Sequence, residues 1–232
     1  MPNTPAKFTQ QTLPFLREAG SQTTNDWLRD HESDYEQHLR GPFVALVEKL
    51  KAALSSSAAN YHFPSRNLAK IKKMANRVTP GEPVNKDWVS ASASRPQIAR
   101  FEHCPHLFLG ILPDEPEWNG IFITGGLFMP TSAQMKQVRL GIAKNAKPFH
   151  KLFADAEFKK RFPQGFSERQ KGVRTPLGFT ADHPDIEWLK LKNLLVERKV
   201  SVAEFTSSAF FDNVATDFLQ LLRLNRLLES IL

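Results

Sequence analysis

Lys70, Lys72, Lys73 and Arg77 stand within eight residues of one another. Alternate side chains of a strand share a face, so a strand there would present several cations together. Gly125 and Gly126, on a second apparent strand, could let a ligand come close to the backbone. Such a pattern suits phosphate or carboxylate groups. A structural explanation competes: lysines guard a sheet edge against mispairing, and a glycine pair marks a bulge. Neither group has the fixed spacing of a phosphate loop, which favours the structural explanation.

Three other groups carry chemistry-bearing side chains. His103, Cys104 and His106 are metal-capable, but no second ligand pair follows at finger spacing, so no metal site is assigned. Asp182 and His183 form an acid and base pair directly before Pro184. That position makes Asp182 a helix-capping carboxylate, and leaves His183 as a weak candidate for a general base. Phe149, Phe153, Phe158, Phe162 and Phe166 alternate with basic residues, as in a surface that stacks bases of single-stranded nucleic acid. Their spacing of four or five fits inward helix faces as well, and core packing is the favoured role.

The elements that would hold these residues follow from hydrophobic period. The chain starts helical, with Thr9 as cap and Gly20 as stop of a first helix, and a second beginning near Thr24. Tyr35, Leu39, Phe43, Leu46, Val47, Leu50 and Leu54 then recur at helical intervals, interrupted at Pro42. Segments 67–78, 97–102, 106–112 and 119–128 read as strands of an antiparallel sheet, with Thr79 to Pro96 as a long loop. Thr131 and Gln134 make a capping box ahead of a helix carrying Met135, Val138 and Ile142. Further helices are expected from Pro148, from Pro184 through Leu195, after a Ser201–Glu204 box, and from Ser208 onward, with a loop from Arg161 to Phe179.

The chain has 232 residues, 41% hydrophobic and 24% charged, which is ordinary globular composition. No run approaches the roughly 20 apolar residues of a membrane span, and the N-terminus lacks the pattern of a secretory signal. A single cysteine excludes an internal disulfide. These features point to a cytoplasmic protein with no membrane partner. The net charge of +7 is unevenly placed: residues 66–100 carry 8 basic and 2 acidic groups, and 136–174 carry 11 and 3. Between them, 101–135 carry none and 4, so a basic face requires the fold to join two separated blocks.

Three stretches together carry a resemblance. They are FTQQTLPFLREAGSQTTNDWLRDHESDYEQHLRGPFVALVEKL, GIFITGGLFMPTSAQMKQVR and RTPLGFTADHPDIEWLKLKNLLVERKVSVAEF. In this order and at these separations they resemble the family catalogued as domain of unknown function 2461, over nearly the whole chain. The family's charged signature near its first strand, close to Arg-Asp-x-Arg-Phe and then Asp-Lys-x-Pro-Tyr-Lys, is replaced here by AKIKKMANRVTPGEPVNKDWVS. Arg77 and Val78 stand for the Arg-Phe pair and Lys86 for one lysine, Trp88 falls near an expected aromatic, and no aspartate precedes Arg77. Leu28 stands where the family has an aromatic. The resemblance implies a family member with an altered signature, and supplies no activity.

The expectation is one α+β domain over 1–232, a central antiparallel sheet flanked by an N-terminal helical hairpin and C-terminal helices. Its expected function is that of a binding or accessory protein whose basic face (Lys70, Lys72, Lys73, Arg77, Lys86, Gly125, Gly126) takes an anionic small molecule or an acidic protein partner. A hydrolase or transferase with Arg77, Lys86 and His183 converging on that face is the first alternative, and single-stranded nucleic-acid binding the second. No cofactor is expected.

Overall fold

The computed structural model describes residues 7–64, 68–96, 103–113 and 120–232. The N-terminal helices are α1 (Thr12–Ser21), α2 (Asp26–Asp30), α3 (Glu32–Tyr35) and α4 (Gly41–Leu54), with a π-helical turn at Glu36–Arg40 joining the last two. Pro42 accounts for that turn. Having no N–H, it cannot donate to the carbonyl of His38 as an α-helix requires. The Thr12 hydroxyl of α1 donates to this carbonyl instead, at 2.8 Å, and ties the two helices together. Gln11 rather than Thr9 is the first residue before α1, and Gly20 lies inside the helix instead of stopping it. A Cβ at Gly20 would collide with Asp87, so glycine there lets the following loop dock on α1.

The sheet is an antiparallel meander in the order β1 (Val89–Ser94), β2 (His106–Leu112), β3 (Gly120–Leu127), β4 (Leu194–Val200). β2 and β3 match expectation, and two strands do not. β1 lies in the stretch read as loop, because its Ser-Ala alternation lacks the bulky residues by which strands are recognised. β4 lies at the end of the run read as helix; α8 is only Ile186–Leu189, and the chain then extends. The segment 67–78, read as a strand, holds one isolated bridge, Lys72 with Asn85, and a 3-10 turn at Ala75–Arg77. The strand read at 97–102 lies outside the described residues.

After β3 come α5 (Ser132–Lys144), α6 (Lys147–Ala154) and α7 (Ala156–Arg161); after β4 come α9 (Val202–Phe205) and α10 (Phe210–Glu229). The box ahead of α5 is complete: Thr131 accepts from the Gln134 N–H and Gln134 from the Thr131 N–H. Ser201 caps α9 by accepting from Glu204 N–H, but the Glu204 carboxylate turns to Arg198 instead of closing a box. The long helix α10 lies on one face of the sheet with α4 beside it. A Cβ on Gly125 would come within 2.7 Å of Leu221 of α10, so the glycine admits the helix to close packing. One cluster of buried apolar side chains extends from Phe8 to Leu228. Among the described residues no helix is long and apolar enough to cross a membrane.

Candidate functional site

The lysine segment forms a small lobe before β1. Lys73 N–H donates to Val84 O and Lys86 N–H to Ile71 O, pairing 71–73 with 84–86, while Val84 N–H donates to Gln22 O at the end of α1. Lys70, Lys72 and Arg77 are exposed, and the Lys73 ammonium bonds Pro83 O at 2.9 Å. The Lys86 ammonium sits 4.1 Å from the Trp88 ring centre. Burial first, then the positive charge of Lys70, holds its pKa below the ordinary lysine value.

The expected partners of these cations lie elsewhere. Gly125 and Gly126 are level with Ala93 and Ser94, at the far end of β1 from Val89 and Lys86. Ala93 lies four residue steps along the strand from Val89, roughly 13 Å, and the glycines are two strands across. Neither glycine opens to a ligand: Leu221 occupies the space over Gly125, and Gly126, at φ +125°, has the Leu194 carbonyl where a Cβ would be. The expected cradle of cations around the glycine pair is therefore not assembled, because both positions are filled by core packing.

Asp182 does not cap α8 either. Its carboxylate accepts from the Thr180 side chain and its own N–H, which hold its pKa below the usual range. His183 Nδ1 accepts from Asp185 N–H at 3.0 Å and so organises the turn before α8. Lys86 leads into β1 at one sheet edge, whereas His183 precedes β4 at the other, so Arg77, Lys86 and His183 share no common lobe. Phe149, Phe158, Phe162 and Phe166 are buried and cannot stack on bases. Among the described residues, no three His, Cys, Asp or Glu side chains gather as metal ligands.

A concave site does exist, around the outer edge of β4. The segment after α7 runs alongside this edge: Phe166 bridges Val196, Ser167 N–H donates to Leu195 O at 2.7 Å, and Lys171 bridges Leu191. Gly165, at φ +63°, makes the turn that begins it. Between this segment, α8 and the sheet lies a cavity of about 850 Å³. The half-buried rings of Phe153 and Trp188 supply its accessible aromatic wall, backed by the buried Phe122, Phe162 and Phe166. Phe153, Phe166 and Trp188 meet edge to face in all three pairings, with centroids 4.9 to 5.6 Å apart, which fixes their orientations. Behind Trp188, the His150 ring lies 4.5 Å away and its Nε2 is 2.6 Å from the Asp185 carboxylate.

The charged residues of the wall are mostly paired. Arg169 meets Glu197 at 2.9 Å, and Ser167 Oγ donates to the same carboxylate. Glu187 accepts from Lys171 and Lys190, which hold its pKa down at about 2. Glu168 pairs with Lys171. Arg198 turns away to α10, where it shares the fully buried Asp217 with Arg161 and also binds Glu204. Burial alone would lower the Arg198 pKa, but these carboxylates raise it above the ordinary arginine value. Lys199, on β4 opposite Phe122, is exposed and has no ion-pair partner among the described residues.

Most of these aromatics fit the inward helix faces expected from their spacing, and no motif marks Arg169, Glu197 or Lys199. The available signal was period two: Val196 and Val200 face the core, while Glu197 and Lys199 alternate with them. Two of the stretches that carried the resemblance line the cavity, the second through Phe122 and the third from Glu187 to Lys199. Residues 11–226 match a family described as conserved hypothetical protein (DUF2461). No curated protein and no solved structure matches the chain.

Proposed function

The chain belongs to the DUF2461 family of conserved hypothetical proteins, and we propose that it is a cytoplasmic binding or accessory protein that holds an anionic small molecule in the cavity beside β4. One observation carries this reading: a cavity of about 850 Å³ with an oriented aromatic wall and a few charged groups at its edge. Ligand sites are typically concave, largely apolar and furnished with a small number of placed polar groups, and their volumes fall in this range. The anionic character follows from the excess of positive charge, +7 over the chain, and from the ion pairing of the wall carboxylates. The exposed lysine lobe before β1 would add a long-range attractive field rather than contacts.

Binding of anilinonaphthalene sulfonate, an aromatic anion, tests this. The protein should bind it saturably, and Trp188→Ala should weaken binding by about tenfold or more through loss of wall area. Absence of saturable binding, or indifference to Trp188→Ala, would refute the reading.

A further inference from the structure

We infer that the cavity selects ligands bearing a single negative charge on an aromatic or other flat apolar body, and that Lys199 is the residue that reads this charge; the inference rests on the cavity being a ligand site.

A group already paired offers little to a newcomer, whereas an exposed ammonium without a carboxylate partner stays available to a ligand's anion at the mouth of the cavity. Arg169 and Glu197 balance each other at 2.9 Å. Glu168 and Glu187 are balanced by Lys171 and Lys190. Arg198 belongs with Arg161 to a set of two cations and two carboxylates completed by Asp217 and Glu204. Subtracting these sets from the charged wall leaves Lys199, without an ion-pair partner among the described residues. One available ammonium offers a charge-assisted bond to one anionic group. A dianion would leave its second charge facing Glu168, Glu187 or Glu197.

Position supports the same assignment. Lys199 is the cross-strand partner of Phe122, so both side chains rise from the same face of the sheet. Both residues line the cavity, so a flat ring held in it brings a substituent on its edge to the lysine. The ammonium donates a charge-assisted hydrogen bond to a carboxylate or sulfonate oxygen, while the aromatic wall takes the apolar body.

Isothermal titration with naphthoate, naphthylmethanol, naphthylmethylamine and naphthalenedicarboxylate tests the inference on the intact chain. Naphthoate should bind about tenfold or more tighter than the alcohol, the dicarboxylate no tighter than naphthoate, and the amine most weakly. Lys199→Met should bring naphthoate down to the alcohol's affinity and leave the alcohol unchanged, with Lys199→Arg restoring the preference. As an exposed residue, Lys199 should leave the melting temperature of either variant within a degree or two of the parent. Equal binding of acid and alcohol, a preference that survives Lys199→Met, or tighter binding of the dicarboxylate would overturn the inference while leaving the cavity a ligand site. Binding of none of the four would overturn both.

Discussion

At the scale of single residues, the most consequential group outside the cavity is Asp217, a fully buried carboxylate held by two guanidiniums at 2.8 and 2.5 Å. Removing it leaves Arg161 and Arg198 facing each other with only Glu204 to balance them. Asp217→Ala should therefore cost about 3–5 kcal/mol in urea unfolding, well above an exposed pair such as Arg29 with Asp26, worth under about 1 kcal/mol. This network was invisible in the sequence for a physical reason: its members come from α7, β4, α9 and α10, and no local period records an ion pair across such separations. Glu204 illustrates the point. Its spacing from Ser201 suggested a capping box, yet the carboxylate forms stronger charge-assisted bonds to Arg198. Lys199 is unmarked in the sequence for the opposite reason, since an unpaired lysine among many is distinguished only once its neighbours' pairings are known.

Elements were legible where one periodicity dominated. The buried stripe of α10, with Phe211, Val214, Phe218, Leu221, Leu222 and Leu228, and the box at Thr131 were readable because helical spacing and capping chemistry are local. β1 was hidden because serine and alanine carry little strand preference, and β4 because Leu189, Leu191, Leu194 and Leu195 fit a helix face as well as a strand entering a core. Two element-scale tests follow. Thr12→Val should leave the His38 carbonyl without its donor and destabilise the protein by about 1–3 kcal/mol, with Thr12→Ser close to the parent; equal melting of all three would show that the hydroxyl does not secure the π-helical turn. Gly126→Ala must enter an unfavourable φ and collide with the Leu194 carbonyl. A loss of about 2–5 kcal/mol is expected, with exchange protection falling first in the β3–β4 ladder.

For the molecule as a whole, acid is the informative perturbation. Asp155, bonded by Arg223 and by Phe158 N–H, and Glu187, bonded by Lys171 and Lys190, are both held down at about 2. A carboxylate depressed in the folded state contributes stability that is complete above its unfolded pKa, near 4, and is lost as pH falls through the folded value. Unfolding followed by circular dichroism should thus show a plateau down to about pH 4 and declining stability from there to about pH 2; carboxylates titrating near 4 in the folded protein would contradict the pairing. The strand order adds a consequence of another kind. β3 pairs with β4, yet everything between Leu127 and Leu194 is synthesised in the interval. While a ribosome extends the chain through that interval, the three-stranded meander can already exist with the long side of β3 unclaimed. Such an exposed backbone ladder is a template for foreign strands. Nascent chains halted there should be the form that chaperones retain and that aggregates capture, whereas release of the remaining C-terminal part closes the ladder and ends the hazard.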